Sequence, residues 1–249
     1  MQKFIATLAA LIVLALVIVQ PAAAQVTYRQ WDAYAGYAYL NTPSKDLSQN
    51  GYNLSFGHNV NKWLALGTDV SSLSGDEPQN STGSQLAAKI SPTLLAGIPP
   101  ALIPALGKVE VRMPVHVHTL TFAAGTQFQL RKSKWVTPFF RPFLGAFHSH
   151  AFGDPTKTTI TSLPPGLTAQ QVQQILGAIP ASVMKNAATQ SDTTLGYGVG
   201  GGADFNISRP IGIRVATEYI RTKIFDEHQN NVRVVTGLIY RFGHDIEVK

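Results

Sequence analysis

The chain has 249 residues, 45% of them hydrophobic, a formal net charge of +6 and no cysteine. The absence of thiols excludes disulfides and thiol chemistry, and beyond the N-terminus no apolar run approaches the roughly 18 residues of a helical membrane span. The positive charge suits an anionic lipid or lipopolysaccharide surface; without a basic stripe interleaved with aromatics, nucleic acid is not an expected partner.

Met1-Gln2-Lys3, an apolar run from Phe4 to Val19, and Pro21-Ala22-Ala23-Ala24-Gln25 have the order of a secretory signal peptide. Residues 1–24 are expected to leave after Ala24, and 25–249 to form one domain. An N-terminal membrane helix is the competing reading, but the apolar core is short for a span and small residues follow it at cleavage distance. An exported domain of about 225 residues without disulfides needs a substantial fold, and a closed sheet is one.

The first predicted strand is Gln30 to Asn41, with Trp31, Ala33, Ala35, Tyr37 and Tyr39 on one face and Asp32, Tyr34, Gly36 and Ala38 on the other. A polar loop, Thr42 to Gln49, leads to a strand over Gly51 to His58. Its Tyr52, Leu54 and Phe56 alternate with Asn53, Ser55 and Gly57. After a turn at Asn59 to Lys62, a third strand runs from Trp63 to Ser74, with Leu64, Leu66, Thr68 and Val70 opposed to Ala65, Gly67, Asp69 and Ser71.

Asp76 to Arg112 is then expected as a long insertion, because Pro92, Pro99, Pro100 and Pro104 prevent a long regular element. A fourth strand resumes near Pro114 and ends near Leu130. Arg131 to Thr137 is a basic turn. The fifth strand, Pro138 to Phe152, places Phe140, Leu144 and Ala146 on one face and Arg141, Gly145 and Ser149 on the other, with Pro138 and Pro142 awkward for a ladder. A second insertion, Gly153 to Asp192, contains Val172, Ile175, Leu176 and Ile179 at helical spacing after a possible cap at Thr168.

Three more runs, Thr193 to Ile207, Ile211 to Lys223 and Asn231 to Phe242, alternate with period two. Leu195, Tyr197, Val199, Ala203, Phe205 and Ile207 share a face against Gly196, Gly198, Gly200, Gly202 and Asp204. Ile213, Val215 and Tyr219 oppose Arg214 and Glu218; Val232, Val234, Leu238 and Tyr240 oppose Arg233 and Arg241. A soluble sandwich hides its apolar face and shows its charges. Here the polar face is small, glycine-rich and sparsely charged, and the apolar face carries large groups with aromatics at its ends. The pattern predicts an all-β, eight-stranded antiparallel up-and-down transmembrane β-barrel with two long, partly helical outer loops. Short turns alternate with longer connections, as expected with both termini on the periplasmic side, and Trp31, Trp63, Trp135 and Tyr240 fall near that rim. A soluble lipocalin-like barrel would not send so many large apolar groups outward.

Tyr34 to Leu40, Asn59 to Leu66, Gly200 to Asp204 and the ending Gln229 to Gly243 together resemble the outer-membrane protein beta-barrel domain of Gram-negative bacteria, in a version like those of Acidobacteria. The resemblance covers Trp31 to Gly243 apart from the insertions. It implies a small barrel similar to the N-terminal domain of outer membrane protein A, placed in the outer membrane by the barrel-assembly machinery and in contact with outer-membrane lipid and lipopolysaccharide. Members often stop at the terminal Phe, whereas six residues follow Gly243 here; a cell-wall tether is not expected, because no peptidoglycan-binding segment follows.

Asp32, Asp69, Arg141, Asp204, Arg214, Glu218, Arg233 and Arg241 all fall on the predicted inner face. Eight-stranded barrels are filled by side chains, and buried charges need partners, so these residues are expected to form an interior ion-pair network, with Glu218 beside Arg214 or Arg233. A narrow ion path gated by the same groups, as in a narrow-pore porin, is the rival. His116, His118, His148 and His150 are weak metal candidates if the two pairs meet across strands, and no cofactor is expected. An outer-membrane lipid-modifying esterase needs a serine beside its base; His148, Ser149 and His150 break that pattern, because neighbours on a strand point to opposite faces. No enzymatic signature is present. Leu94, Leu95 and Ile98 in the first insertion and Val172, Ile175 and Leu176 in the second are expected to fold together as an outer cap, which could meet a surface partner.

Overall fold

A computed structural model of the chain describes residues 28–82, 109–153, 159–162 and 189–246, and residues 168, 170, 172 and 177. The expected signal peptide, residues 1–24, lies outside them. The strands are β1 (Tyr28–Thr42), β2 (Leu47–Asn59), β3 (Leu64–Thr82), β4 (Glu110–Gln129), β5 (Val136–Gly153), β6 (Thr159–Ser162), β7 (Gln190–Asn206), β8 (Ile211–Ile224) and β9 (Glu227–Ile246). Eight form an antiparallel ring in the order β1-β2-β3-β4-β5-β7-β8-β9, closed where β9 returns to β1. The short β6 pairs with β4 at Val111↔Ile160, beyond the point where β5 ends against it at Val115↔Gly153. It therefore prolongs the line of β5 rather than adding a stave.

Alternation decides which way each wall faces. Leu195 is 82% exposed, Leu144 70% and Leu238 59%, whereas Arg233 is 1% exposed and Asp69 1%. The exterior is greasy and the interior charged. Aromatic groups bound the apolar band at both ends, as expected of rings that favour a lipid–water boundary. At the short-turn end Trp31 stacks on Phe56 at 5.2 Å and Trp63 on Phe128 at 6.0 Å. At the other end the Tyr37 hydroxyl donates to Asn50, and the Tyr219 hydroxyl donates to Asn230 at 2.7 Å.

Several expected boundaries move outward. Half of the polar loop expected at Thr42 to Gln49 is strand, leaving a 3₁₀ turn at Pro43–Lys45 and Asp46. Asp76 to Thr82 and Glu110 to Arg112 were expected within an insertion; they are paired β3 and β4, with Ser74↔His118 continuing to Thr82↔Glu110. The second insertion likewise loses its last residues to β7, which begins at Gln190. The gap between the runs expected to end at Lys223 and to begin at Asn231 contracts to two residues, Phe225 and Asp226, both at positive φ (53° and 62°), the conformation of the tightest hairpin turn. The residues after Phe242 continue β9 to Ile246, pairing with β1 across a bulge between Arg29 and Trp31. Backbone pairing explains each shift: a strand lengthens wherever a neighbour offers a ladder, whatever the local polarity.

Pro142 also finds its explanation. The β4–β5 register skips from Gly125↔Phe143 to Phe128↔Phe140, because proline supplies no N–H there. Pairing to β7 continues through Pro142↔Val199.

The interior mixes polar groups with a buried apolar cluster that includes Tyr34, Phe139, Phe143, Phe147, Ile220 and Ile239. The glycines of β7 make room for it. A side chain at Gly198 would run into the Phe143 ring, and one at Gly200 would meet Glu218 Cγ at 2.5 Å. Gly198→Val is expected to destabilise the barrel by about 1–3 kcal/mol, the usual cost of overpacking, read as a lower urea midpoint for loss of the folded, heat-modifiable gel band.

Candidate functional site

The lumen brings all eight predicted interior charges inside the ring, each less than a tenth exposed. They fall into two layers. Nearer the short-turn end, Arg214 on β8 grips Asp204 on β7 with two bonds, Nε to Oδ1 at 2.7 Å and Nη2 to Oδ2 at 2.9 Å. These residues are directly opposed in register, so the fork meets the carboxylate in the bidentate geometry that suits arginine. Arg241 on β9 donates to the same Asp204 at 3.1 Å and lies 3.7 Å from Asp32. The Arg214 guanidinium also rests over the Phe139 ring at 4.7 Å.

The second layer sits deeper. Arg233 on β9 donates through Nε to Glu218 at 2.6 Å and through Nη1 to Ser71 at 3.0 Å, and its Nη2 reaches Asp69 at 3.2 Å. Arg141 approaches from β5, 2.5 Å from Asp69 and 3.9 Å from Glu218. Two carboxylates thus face two guanidiniums, and the layer is neutral. Glu218 takes Arg233 as its close partner, while Arg214 is committed to Asp204.

Arg131, expected in a basic turn, reaches the lumen instead. Its Nη2 donates to Asn59 at 2.7 Å and its Nε to Gln129 at 2.9 Å, and the guanidinium lies 4.2 Å over the Tyr28 ring. Burial pulls its pKa down to about 10, so it stays charged at neutral pH. The parity of Gln127, Gln129 and Arg131 was the signal: it continues inward past the strand end. Above the deeper layer Gln49 donates to Val117 O at 3.1 Å and to Thr119 at 3.0 Å, and Thr119 meets Ser149 at 3.0 Å.

The four histidines face outward instead. His118 and His150 are opposed in register, but the ring nitrogens of His116, His118 and His148 have other partners. His116 bonds Asp76 at 2.7 Å, His118 Ser72 at 3.0 Å, and His148 Thr193 at 2.7 Å. Among the described residues no group of three or more histidine, cysteine, aspartate or glutamate side chains is placed to hold a metal. Ser149 points into the barrel while His148 points out, so the two do not meet. Of the cap residues, Leu94, Leu95, Ile98, Ile175 and Leu176 lie outside the described residues. Val172 is helical and buried, its N–H donating to Thr168 O at 3.1 Å.

Glu77 is the remaining acidic group of note. It lies on the inner side of β3 beyond the apolar band, and its carboxyl is pushed up from the ordinary range by burial, and further by Glu227, against the pull of Lys45. A carboxyl raised in the folded state contributes stability below its unfolded pKa that is lost as pH rises through the folded one. Glu77→Gln should therefore slow amide exchange in the outer β3–β4 hairpin at neutral pH and leave it unchanged in acid below the ordinary carboxylate range; the comparison at the two pH values checks it. In the deeper layer, Arg233→Met leaves Asp69 and Glu218 short of a cation. The expected loss is about 3–5 kcal/mol; the double variant Arg233→Met/Glu218→Met should recover a large part of it, measured by urea unfolding in detergent micelles.

Among solved structures, similar chains include Ail, the attachment invasion locus protein of Yersinia pestis, in complex with the heparin analogue sucrose octasulfate. It is 16% identical over 86% of this chain and 99% of that chain, with a TM-score of 0.47. Neisserial surface protein A is 11% identical over 85% and 96%, with a TM-score of 0.46, and OprG of Pseudomonas aeruginosa 10% identical over 88% and 99%, with a TM-score of 0.39. No curated protein matches the chain. The profile of the outer membrane protein beta-barrel domain matches residues 9–242, and the chain belongs to that family.

Proposed function

We propose that this outer-membrane barrel is a non-conducting, non-enzymatic scaffold that raises an interaction surface above the cell. In this reading the signal peptide is removed after Ala24, the short turns face the periplasm, and lipid and lipopolysaccharide surround the band. The observation that carries the proposal is the height of the β3–β4 pairing. The last large outward apolar group is Leu120, opposite Ser72, yet the ladder continues to Thr82↔Glu110, roughly 33 Å of further strand at about 3.3 Å per residue. The outward groups along it change to Ser72, Ser74, Asp76, His116 and His118. A hairpin this long is far more than a connection needs, and β6 braces its β4 edge.

The lumen supports the scaffold half of the reading. Guanidiniums and carboxylates cross it in two layers, held from β1, β3, β5, β7, β8 and β9, and an eight-stranded ring leaves little more than side-chain room. A porin would need those pairs to part. Purified protein in planar bilayers is expected to give rare or negligible conductance; steady, large, voltage-independent steps would replace the scaffold with the porin. The surface half is tested on intact cells: replacing residues 76–116 by a two-residue turn should leave a folded, heat-modifiable barrel but abolish attachment of the cells to other cells or to coated surfaces. Unchanged attachment by the truncated form, or none by the full-length form, would refute it.

A further inference from the structure

The outer half of the lumen is not filled. Above the neutral Asp69–Arg141–Glu218–Arg233 layer lies a cavity of about 190 Å³, floored by Arg233 and walled by Leu73, Val117, Phe147 and Ile220. For scale, a cavity of roughly 150 Å³ accepts benzene. At its rim, Lys45 pairs with Glu227 at 2.5 Å. Glu77, also on the rim, has no hydrogen bond or ion pair at contact distance among the described residues. Among the described residues at the rim, Lys45 offsets only one of the two carboxylates, which leaves one net negative charge.

A second open acceptor lies inside. Asn231 on β9 is 3% exposed and lines the same cavity. Its amide nitrogen donates to Thr222 at 3.3 Å, but its Oδ1 has no partner. A buried carbonyl oxygen without a donor is costly. Glu77 and Asn231 stand on staves separated by β2 and β1, roughly 14 Å around the wall at about 4.8 Å per strand. Both side chains line the cavity, so the direct path between them is shorter than that arc. The two open groups are both acceptors, one of them anionic, and the lining between them mixes Leu40 and Leu47 with Thr42 and Gln49, while Phe147 and Ile220 supply an apolar face on other staves.

We propose that this cavity binds a small organic cation: a protonated amine on a single apolar ring that bears a second hydrogen-bond donor at its far end. The ammonium sits at Glu77, the ring lies against Phe147 and Ile220, and the far donor meets Asn231 Oδ1. The charged layer beneath closes the site on the periplasmic side, so the molecule enters and leaves from outside the cell. The site is a receptor pocket rather than a stage of a channel.

Tyramine, which carries both donors, is the probe. Phenethylamine lacks its hydroxyl and 4-ethylphenol lacks its ammonium. Binding to the full-length folded barrel in nanodiscs is measured by calorimetry at neutral pH. Tyramine should bind at least tenfold more tightly than 4-ethylphenol and several-fold more tightly than phenethylamine. Glu77→Gln should abolish the first difference and spare the second; Asn231→Leu should do the reverse. The proposal is overturned if tyramine does not bind, if the three compounds bind alike, or if either preference survives the substitution assigned to it. The three-compound comparison on the unaltered protein decides the matter even if a variant fails to fold.

Discussion

Everything inside the barrel depends on the neutralisation of buried charge. A guanidinium as enclosed as that of Arg233, 1% exposed, survives only where carboxylates and hydrogen bonds replace its water. Glu218, Asp69 and Ser71 do so from two other strands, and a defect in any of them would expose the rest. Such a layer ties β3, β5, β8 and β9 across the lumen, which backbone ladders between neighbours cannot do. The glycines of β7 follow from it: Glu218 and the rings of Phe143 and Phe147 occupy the space their side chains would fill.

The exterior obeys a simpler constraint. Backbone groups facing lipid have no water to bond, so the ring must close, and β9 meets β1 from Trp31↔Phe242 to Asn41↔Val232. The lipid-facing side chains need only be apolar, with amphipathic rings where the band ends. Pro142 is tolerated on this wall because the ladder on its β7 side continues while the β4 side skips.

Beyond the band the logic changes again. No lipid requires the β3–β4 hairpin to continue, and its outward face turns to serine, aspartate and histidine. The interior also loosens there: the charged layer ends and a cavity begins at the height of Gln49, Thr119 and Ser149. The buried ion pairs are concentrated in the membrane-embedded half, and the cavity and the polar outward face lie beyond it.

Periodicity alone settled a good deal. The alternation of Leu195 through Ile207 against Gly196 through Asn206 determined which wall faces lipid, since shifting a strand by one residue exchanges its faces. The eight interior charges were legible for the same reason: each sits at inward parity within a strong run. Parity does not specify partners, and the choice of Asp204 for Arg214 and of Glu218 for Arg233 came from register across strands, which only the closed ring sets. Strand ends were equally hidden. Asp76 to Thr82 reads as polar loop, yet β4 lies beside it and supplies a ladder. Arg131 was missed because its inward parity continues past the strand end into what reads as a turn, and the cavity between Glu77 and Asn231 because the two residues are distant in sequence. Local pattern determined facing; long-range pairing, which fixes which side chains share the lumen at each height, decided the rest.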